Sequence, residues 1–112
     1  MSQVTTHVLD TSVGKPAGAV PVVLEQNNSD NWKKIAEGIT NEDGRIVNLL
    51  SKDKVLEKGV YRLIFETTSY FNNQNKKSFY PRITIEFEIF DSSHYHVPLL
   101  LNPFGYSTYR GS

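Results

Sequence analysis

The sequence predicts an all-β fold, a sandwich of two packed sheets. Aromatic and β-branched residues occur in short runs that turn-forming residues separate, which is the pattern of sandwich and barrel strands. We count about seven or eight such runs, a number typical of a two-sheet sandwich, and segments with helical character are scarce. The chain has 112 residues, the usual size of one domain, and we expect a single domain over residues 1–112.

Each strand is predicted from apolar and polar alternation and from the turn that ends it. The first strand spans residues 4–10 and ends before Gly14-Lys15-Pro16, and the second spans residues 19–26 and ends in a loop rich in Asn. The remaining strands are predicted over residues 32–37, 60–67, 82–90, 94–101 and 106–110. One short helix is predicted over residues 69–74, with Ser69 as its cap, and a plain loop is the alternative there.

Composition argues against several classes of partner. Twelve basic residues balance twelve acidic residues, so no excess charge favours nucleic acid or an anionic membrane. The chain has no cysteine, which excludes disulfides and cysteine zinc sites and is compatible with the cytosol. No run approaches the ~20 apolar residues of a membrane span, and the first residues lack a basic and apolar leader. We therefore expect a cytoplasmic protein without membrane or nucleic-acid partners.

The segment over residues 94–101 is apolar on both faces of its predicted strand. Period two assigns Tyr95, Val97, Leu99 and Leu101 to the core face, and His94, His96, Pro98 and Leu100 to the opposite face. If water covered the second face, it would be a contiguous apolar patch of the kind that marks an interaction surface. Because soluble homo-oligomers are usually built on two-fold axes, we expect a second copy of the chain to cover it, with His96 and Pro98 lining a shared cavity.

Two histidines lie among apolar neighbours on predicted strands. His7 shares one face of the first strand with Leu9 and Thr11, and His96 lies on the doubly apolar strand. A pair of imidazoles that titrate near neutral pH is able to take a proton from water and to deliver one to a leaving nitrogen. The sequence therefore predicts a hydrolytic site if the two strands converge.

Arg45 completes this candidate site. It follows the Asp43-Gly44 turn, where glycine accepts positive φ, and we expect the turn to hold it at the mouth of the next strand. A guanidinium there would neutralise the negative charge that develops on a carbonyl oxygen as water attacks. Tyr109 and Ser112 of the last segment are further candidate contacts.

Other interpretations remain open at these positions. A strand histidine is more often a hydrogen-bonded structural residue than a catalyst, and an arginine after an Asp-Gly turn is usually solvated. A zinc site is a second interpretation, with His94 and His96 on one strand face and His7 as a third ligand. A serine nucleophile, Ser107 or Ser112 with His96, is a third, although spacing identifies no oxyanion turn or supporting acid.

Several motifs resemble the transthyretin-like family and, within it, the branch of 5-hydroxyisourate hydrolases. They are Thr6-His7-Val8-Leu9-Asp10-Thr11 with Gly14-Lys15-Pro16-Ala17, Thr40-Asn41-Glu42-Asp43-Gly44-Arg45, Phe79-Tyr80-Pro81, and His94-Tyr95-His96-Val97-Pro98-Leu99-Leu100-Leu101 with the closing Tyr109-Arg110-Gly111-Ser112. The resemblance runs nearly end to end. Hormone-carrying transthyretins lack the closing tetrapeptide and the histidines at the positions of His7 and His96. The resemblance implies a transthyretin-like (prealbumin) β-sandwich of two four-stranded sheets with one short helix.

The resemblance also implies an activity. His7, Arg45 and His96 would form the catalytic set, and Tyr109 and Ser112 would close the pocket around the substrate. Water would attack a ring carbonyl of 5-hydroxyisourate and open the six-membered ring, giving 2-oxo-4-hydroxy-4-carboxy-5-ureidoimidazoline in urate degradation. No metal or other cofactor is implied.

The implied assembly is a homotetramer, a dimer of dimers whose central channel holds the active sites. A non-catalytic carrier that binds an aromatic small molecule in such a channel is the alternative function. A purely structural interaction module is a third hypothesis.

Overall fold

The computed structural model describes residues 2–112, which form two four-stranded sheets and one short helix. The strands are β1 (Val4–Asp10), β2 (Lys15–Pro16), β3 (Pro21–Asn28), β4 (Asn31–Ile39), β5 (Gly59–Phe65), β6 (Ile83–Ile89), β7 (Tyr95–Asn102) and β8 (Gly105–Thr108), and the helix α1 spans Thr68–Asn72. The first sheet has the order β2-β1-β7-β8 and the second has the order β4-β3-β5-β6. The all-β, two-sheet prediction is confirmed. The described residues include no helix that is both long enough and apolar enough to cross a membrane.

The first sheet is built around a parallel pair, β1 beside β7. Thr5 pairs with His96 and His7 pairs with Pro98 in this ladder. The other ladders that join neighbouring strands are antiparallel. Because β1 and β7 lie far apart in the sequence, their parallel pairing brings distant residues side by side.

The core lies between the two sheets and follows the predicted alternation. All four residues assigned to the core face of β7 are buried, and β1 contributes Val4 and Val8 with no exposed surface. The second sheet contributes other fully buried side chains, which include Leu24, Leu63 and Phe65. On the outward face of β7, Pro98 is buried, whereas His96 and Leu100 are half-buried.

The helix starts earlier than the sequence predicts. Thr67, not Ser69, is the residue before its first turn, and Thr67 makes no side-chain capping hydrogen bond. The helix is held instead by packing, because Phe71 is 1% exposed within the core.

Arg45 does not lie at the mouth of the next strand, because that strand, predicted over residues 60–67, is β5 and begins only at Gly59. Residues 46–58 form a chain of turns and bends. Leu49 and Leu50 are both buried although they are adjacent in the sequence. Adjacent residues of a regular strand point to opposite faces, so a one-sided strand would not bury both. The loop therefore contributes two consecutive leucines to the core.

Candidate active site

A cleft opens on the outward face of the first sheet, where β1 and β7 lie side by side. Its volume is about 310 Å³, and its wall is formed by Thr5, Arg45, His94, His96 and Ser112. The strand register creates it, because paired residues of a parallel ladder carry their side chains on the same face. His7 is not in the wall, but it lies on this face of β1, two residues beyond Thr5.

The hydroxyl of Thr5 joins the two histidines of the cleft. Its Oγ1 lies 2.7 Å from Nε2 of His94 and 2.8 Å from Nδ1 of His96. The two imidazole rings are stacked with their centroids 6.1 Å apart and an angle of 22° between their planes. Since Nδ1 of His96 is bound to Thr5, Nε2 is the ring nitrogen left for water or substrate.

Arg45 reaches the cleft because its turn docks on β1. His7 and Arg45 form an isolated antiparallel bridge, and the amide of Val8 donates a hydrogen bond of 2.8 Å to the carbonyl oxygen of Gly44. Gly44 has a φ of 74°, and a Cβ atom there would collide with the carbonyl oxygen of Val8. The carboxamide oxygen of Asn41 also accepts a 3.1 Å hydrogen bond from the amide of Arg45. The turn thus needs a glycine for both its conformation and its close approach.

His96 lies in the field of several basic groups. Burial lowers its pKa below the ordinary value of 6.5, and the charges of Arg45, His94 and His7 lower the pKa further. Its imidazole is therefore mostly uncharged at neutral pH, which is the form that accepts a proton from water. The cleft wall contains Arg45 and His96, and His7 lies next to Arg45 through their backbone bridge.

The two candidates from the last segment have different positions. Gly111 forms an isolated bridge with His96, and its amide donates a 2.9 Å hydrogen bond to the carbonyl oxygen of that histidine, so Ser112 lies in the wall of the cleft. Tyr109 instead lines a separate cavity of about 230 Å³ beside β6, with Phe87 and Tyr95. Within one chain, Tyr109 does not close the histidine cleft.

The zinc interpretation finds no support in this geometry. The Thr5 hydroxyl lies between Nε2 of His94 and Nδ1 of His96, so these two nitrogens do not converge on an open position. Residues 2–112 contain no group of three or more His, Asp or Glu side chains that could hold a metal ion.

The catalytic set predicted from the sequence omits two residues of the cleft, Thr5 and His94. Thr5 has no motif of its own, and only the pairing of β1 with β7 places it opposite His96. His94 carries a usable signal, since it precedes His96 by two positions and so shares its strand face. That signal predicts the shared face but not the hydroxyl between the two rings.

Comparisons of the sequence and of the whole fold relate this chain to known proteins. The sequence profile of the HIUase/Transthyretin family matches residues 4–111. The 5-hydroxyisourate hydrolase of Salmonella typhimurium is 48% identical over 109 residues, which cover 96% of this chain and 79% of that protein. The structure of the Klebsiella pneumoniae 5-hydroxyisourate hydrolase has a TM-score of 0.87 and 38% identity, with 100% of both chains covered.

The fold is also similar to that of a transthyretin solved with thyroxine. The crystal structure of sea bream transthyretin in complex with thyroxine has a TM-score of 0.91 and 34% identity, covering 98% of this chain and 95% of that one. The backbone therefore does not separate hydrolases from thyroxine-binding proteins, but it confirms the predicted transthyretin-like sandwich. With a profile match over almost all of its length, the chain belongs to the HIUase/transthyretin family.

Proposed function

We infer that this chain is a hydrolase that opens the six-membered ring of 5-hydroxyisourate to give 2-oxo-4-hydroxy-4-carboxy-5-ureidoimidazoline. The observation that supports the inference is a cleft walled by His96 and Arg45, with His7 on the same face of β1. Relatives named 5-hydroxyisourate hydrolase share up to 48% of their residues with this chain over nearly its whole length. Similarity and site chemistry thus support the same reaction.

The mechanism that we propose starts at His96. Its Nε2 takes a proton from water, and the oxygen of that water bonds to the ring carbonyl carbon. The guanidinium of Arg45 stabilises the oxyanion that forms. The carbon–nitrogen bond then breaks, and the departing nitrogen takes a proton from the ring of His7. Ser112, in the cleft wall, is proposed to contact the substrate.

The assembly is proposed to be a homotetramer, a dimer of dimers. The outward face around the cleft carries the half-buried Leu9 and Leu100 beside the histidines, and a second copy would cover these apolar groups. Tyr109, which lies away from the cleft of its own chain, would contact substrate only from a neighbouring copy. A cytoplasmic location is part of this proposal, and cell fractionation tests it.

The direct test follows the ultraviolet decay of freshly generated 5-hydroxyisourate. We expect the protein to accelerate the decay, and we expect His96→Ala, His7→Ala and Arg45→Gln each to lower kcat by about 100-fold or more, because acid–base catalysis and oxyanion stabilisation contribute at that scale. Arg82→Gln is the matched control. Arg82 forms an exposed ion pair with Glu66 next to the second sheet, whereas the cleft lies on the first sheet. Parent-like rates in all three site variants would contradict the assignment.

A carrier of an aromatic small molecule is the second candidate function. The likeness to sea bream transthyretin, solved with thyroxine, favours it. Isothermal titration with an iodinated aromatic ligand separates the two functions. Saturable binding of the unchanged ligand, together with no acceleration of 5-hydroxyisourate decay, would favour the carrier.

A further inference from the structure

His94 lies between two cavities. One is the cleft of about 310 Å³ that it shares with His96 and Arg45. The other is a groove of about 170 Å³ whose wall includes Lys52, Lys54 and His94 itself. The half-buried imidazole of His94 is therefore reached from the substrate side and from a separate opening to solvent.

The hydroxyl of Thr5, which carries one hydrogen atom, forms hydrogen bonds with both His94 and His96. It lies 2.7 Å from one ring nitrogen and 2.8 Å from the other, so it donates to one ring and accepts from the other. If it donates to Nε2 of His94, then Nδ1 of His96 carries a proton and Nε2 of His96 is bare. If the direction is reversed, Nε2 of His96 carries the proton instead. The two directions therefore correspond to the two neutral tautomers of His96.

We propose that Thr5 and His94 form a proton relay with His96, which carries the proton taken from the attacking water out of the cleft and into the groove beside Lys52 and Lys54. This inference rests on the proposed hydrolysis. Thr5 is a positioning residue in it, because it acts on the substrate only through His96.

The relay balances as a sequence of four proton transfers. Nε2 of His96 gains the proton of the attacking water, and Nδ1 of His96 passes its own proton to Oγ1 of Thr5. The hydroxyl proton of Thr5 moves to Nε2 of His94, and Nδ1 of His94 releases its proton to water in the groove. His96 ends neutral as the opposite tautomer, with Nε2–H directed at the substrate. His7 protonates the departing nitrogen and then regains a proton from Nε2 of His96 through water in the cleft. The reverse transfer through His94 and Thr5 returns a proton to Nδ1 of His96 and resets the relay.

Charged groups of both signs surround the relay. Arg45 and His7 face His96 from the turn and from β1. Lys52 and Lys54 line the groove beside His94, and the guanidinium of Arg110 donates a 3.2 Å hydrogen bond to the carbonyl oxygen of His94. The carboxylate of Asp91 accepts a 3.0 Å hydrogen bond from the amide of Ser93, the residue before His94. Because the groove opens to solvent, water there takes up the proton that the relay releases.

The test compares Thr5→Val, which removes the hydroxyl at nearly constant shape, with Thr5→Ser, which retains it. We expect Thr5→Val to lower kcat about 10-fold or more with KM little changed, and Thr5→Ser to restore most of the parent rate. Nitrogen chemical shifts of His96 report the tautomer. They should show Nδ1 protonated in the parent and in Thr5→Ser, and a mixture of tautomers in Thr5→Val.

His94→Gln removes the residue that releases the proton to the groove. This variant tests the relay even if Thr5→Val does not fold. Its side-chain oxygen is able to accept the Thr5 hydrogen bond but passes no proton, so we expect the parent tautomer of His96 with a lowered kcat. Parent-like kcat in His94→Gln, or equal rates in Thr5→Val and Thr5→Ser, would overturn the relay. If the parent itself fails to hydrolyse 5-hydroxyisourate, the proposed function fails, while the tautomer comparison still tests the hydrogen-bonded chain.

Discussion

The backbone of Gly111 lies directly against the imidazole of His96. Besides the hydrogen bond between the two backbones, a Cβ atom built on Gly111 would lie 2.6 Å from Cδ2 of His96 and 3.3 Å from Cγ of Pro98. No side chain fits in that space unless the histidine moves. Gly111 therefore fixes where the imidazole lies as well as where the chain passes.

We expect Gly111→Ala to lower kcat by about 10- to 100-fold, because a displacement of His96 by a fraction of an ångström disturbs its alignment with the attacked carbon. Steady-state kinetics measure the effect. Gly105→Ala in β8 is the matched control, since the nearest atoms to its added methyl group lie 3.8 Å away. A Gly111→Ala variant with the kinetics of Gly105→Ala would mean that His96 has room to move without loss.

Arg45→Gln should raise the pKa of His96. Burial and the positive charges of Arg45, His94 and His7 hold that pKa below 6.5, so removal of one charge relieves part of the shift. In the parent, activity should fall as the pH drops through this lowered pKa, because the protonated ring accepts no proton from water. NMR titration of the His96 ring protons measures the pKa of His96 in the parent and in Arg45→Gln. A pKa that is unchanged in Arg45→Gln would show that the charge of Arg45 contributes nothing to the shift.

Leu100→Asp should dissociate the proposed tetramer and abolish activity together. Leu100 pairs with Leu9 across β1 and β7 on the cleft face, and an aspartate there would bury charge against a neighbouring copy. Light scattering and the decay assay measure the two effects. Ile39→Asp is the control, because Ile39 is 63% exposed at the end of β4 in the other sheet. A fully active monomer would refute the link between assembly and catalysis.

Tyr70→Phe should destabilise the fold without touching the cleft. The Tyr70 hydroxyl donates a 2.7 Å hydrogen bond to Oδ2 of Asp10, whose surface is fully buried. Loss of that donor leaves a buried carboxylate oxygen short of one partner, at a cost of about 1–3 kcal/mol in the free energy of unfolding. Urea denaturation measures the change, and Tyr80→Phe is the matched control. Equal stability of the two variants would show that water replaces the lost hydroxyl.

The hydrogen-bonded pair of Tyr70 and Asp10 also predicts how the stability of the fold depends on pH. Burial works to raise the pKa of Asp10, but hydrogen bonds from Ser12 and Tyr70 outweigh it and leave the pKa below 3.8. A carboxyl whose pKa is lowered by folding stabilises the fold above its unfolded pKa and loses that contribution as the pH falls through the folded value. We therefore expect the free energy of unfolding to decrease below about pH 4, and to decrease less steeply in Asp10→Asn. Parallel pH profiles of the two proteins would contradict this.

Alternation along single strands predicted the two faces of β1 and β7 correctly. Polar and apolar residues repeat with the period of a strand, so the sequence alone assigned His7 and His96 to outward faces and residues such as Leu99 to the core. The shared outward orientation of His7 and His96 was enough to predict that the two side chains converge if their strands are neighbours. It did not specify which residues would be neighbours.

The sequence did not predict which strands pair. No local sequence feature indicates that β1 lies parallel to β7, so the position of Thr5 opposite His96 was not predicted. Lys15 and Pro16 lie in a stretch typical of a turn, yet they pair with Asp10 and Leu9 as the short edge strand β2. Tyr109 also depended on tertiary structure, because it lies after the end of β8, between that strand and the bridge that joins Gly111 to His96.

The parallel pairing of β1 with β7 has a consequence for biosynthesis. Thr6 and Val97, which hydrogen-bond across this ladder, are 91 positions apart. A ribosome therefore releases β1 long before its partner strand exists, and the ladder forms only by closure of a very long loop, a class of contact associated with slow folding. Nascent chains that stop short of β7 would carry β1 with an unpaired edge, which is prone to pair with other chains. The histidine cleft would therefore form only after β7 and the residues that follow it, including Ser112, have been synthesised.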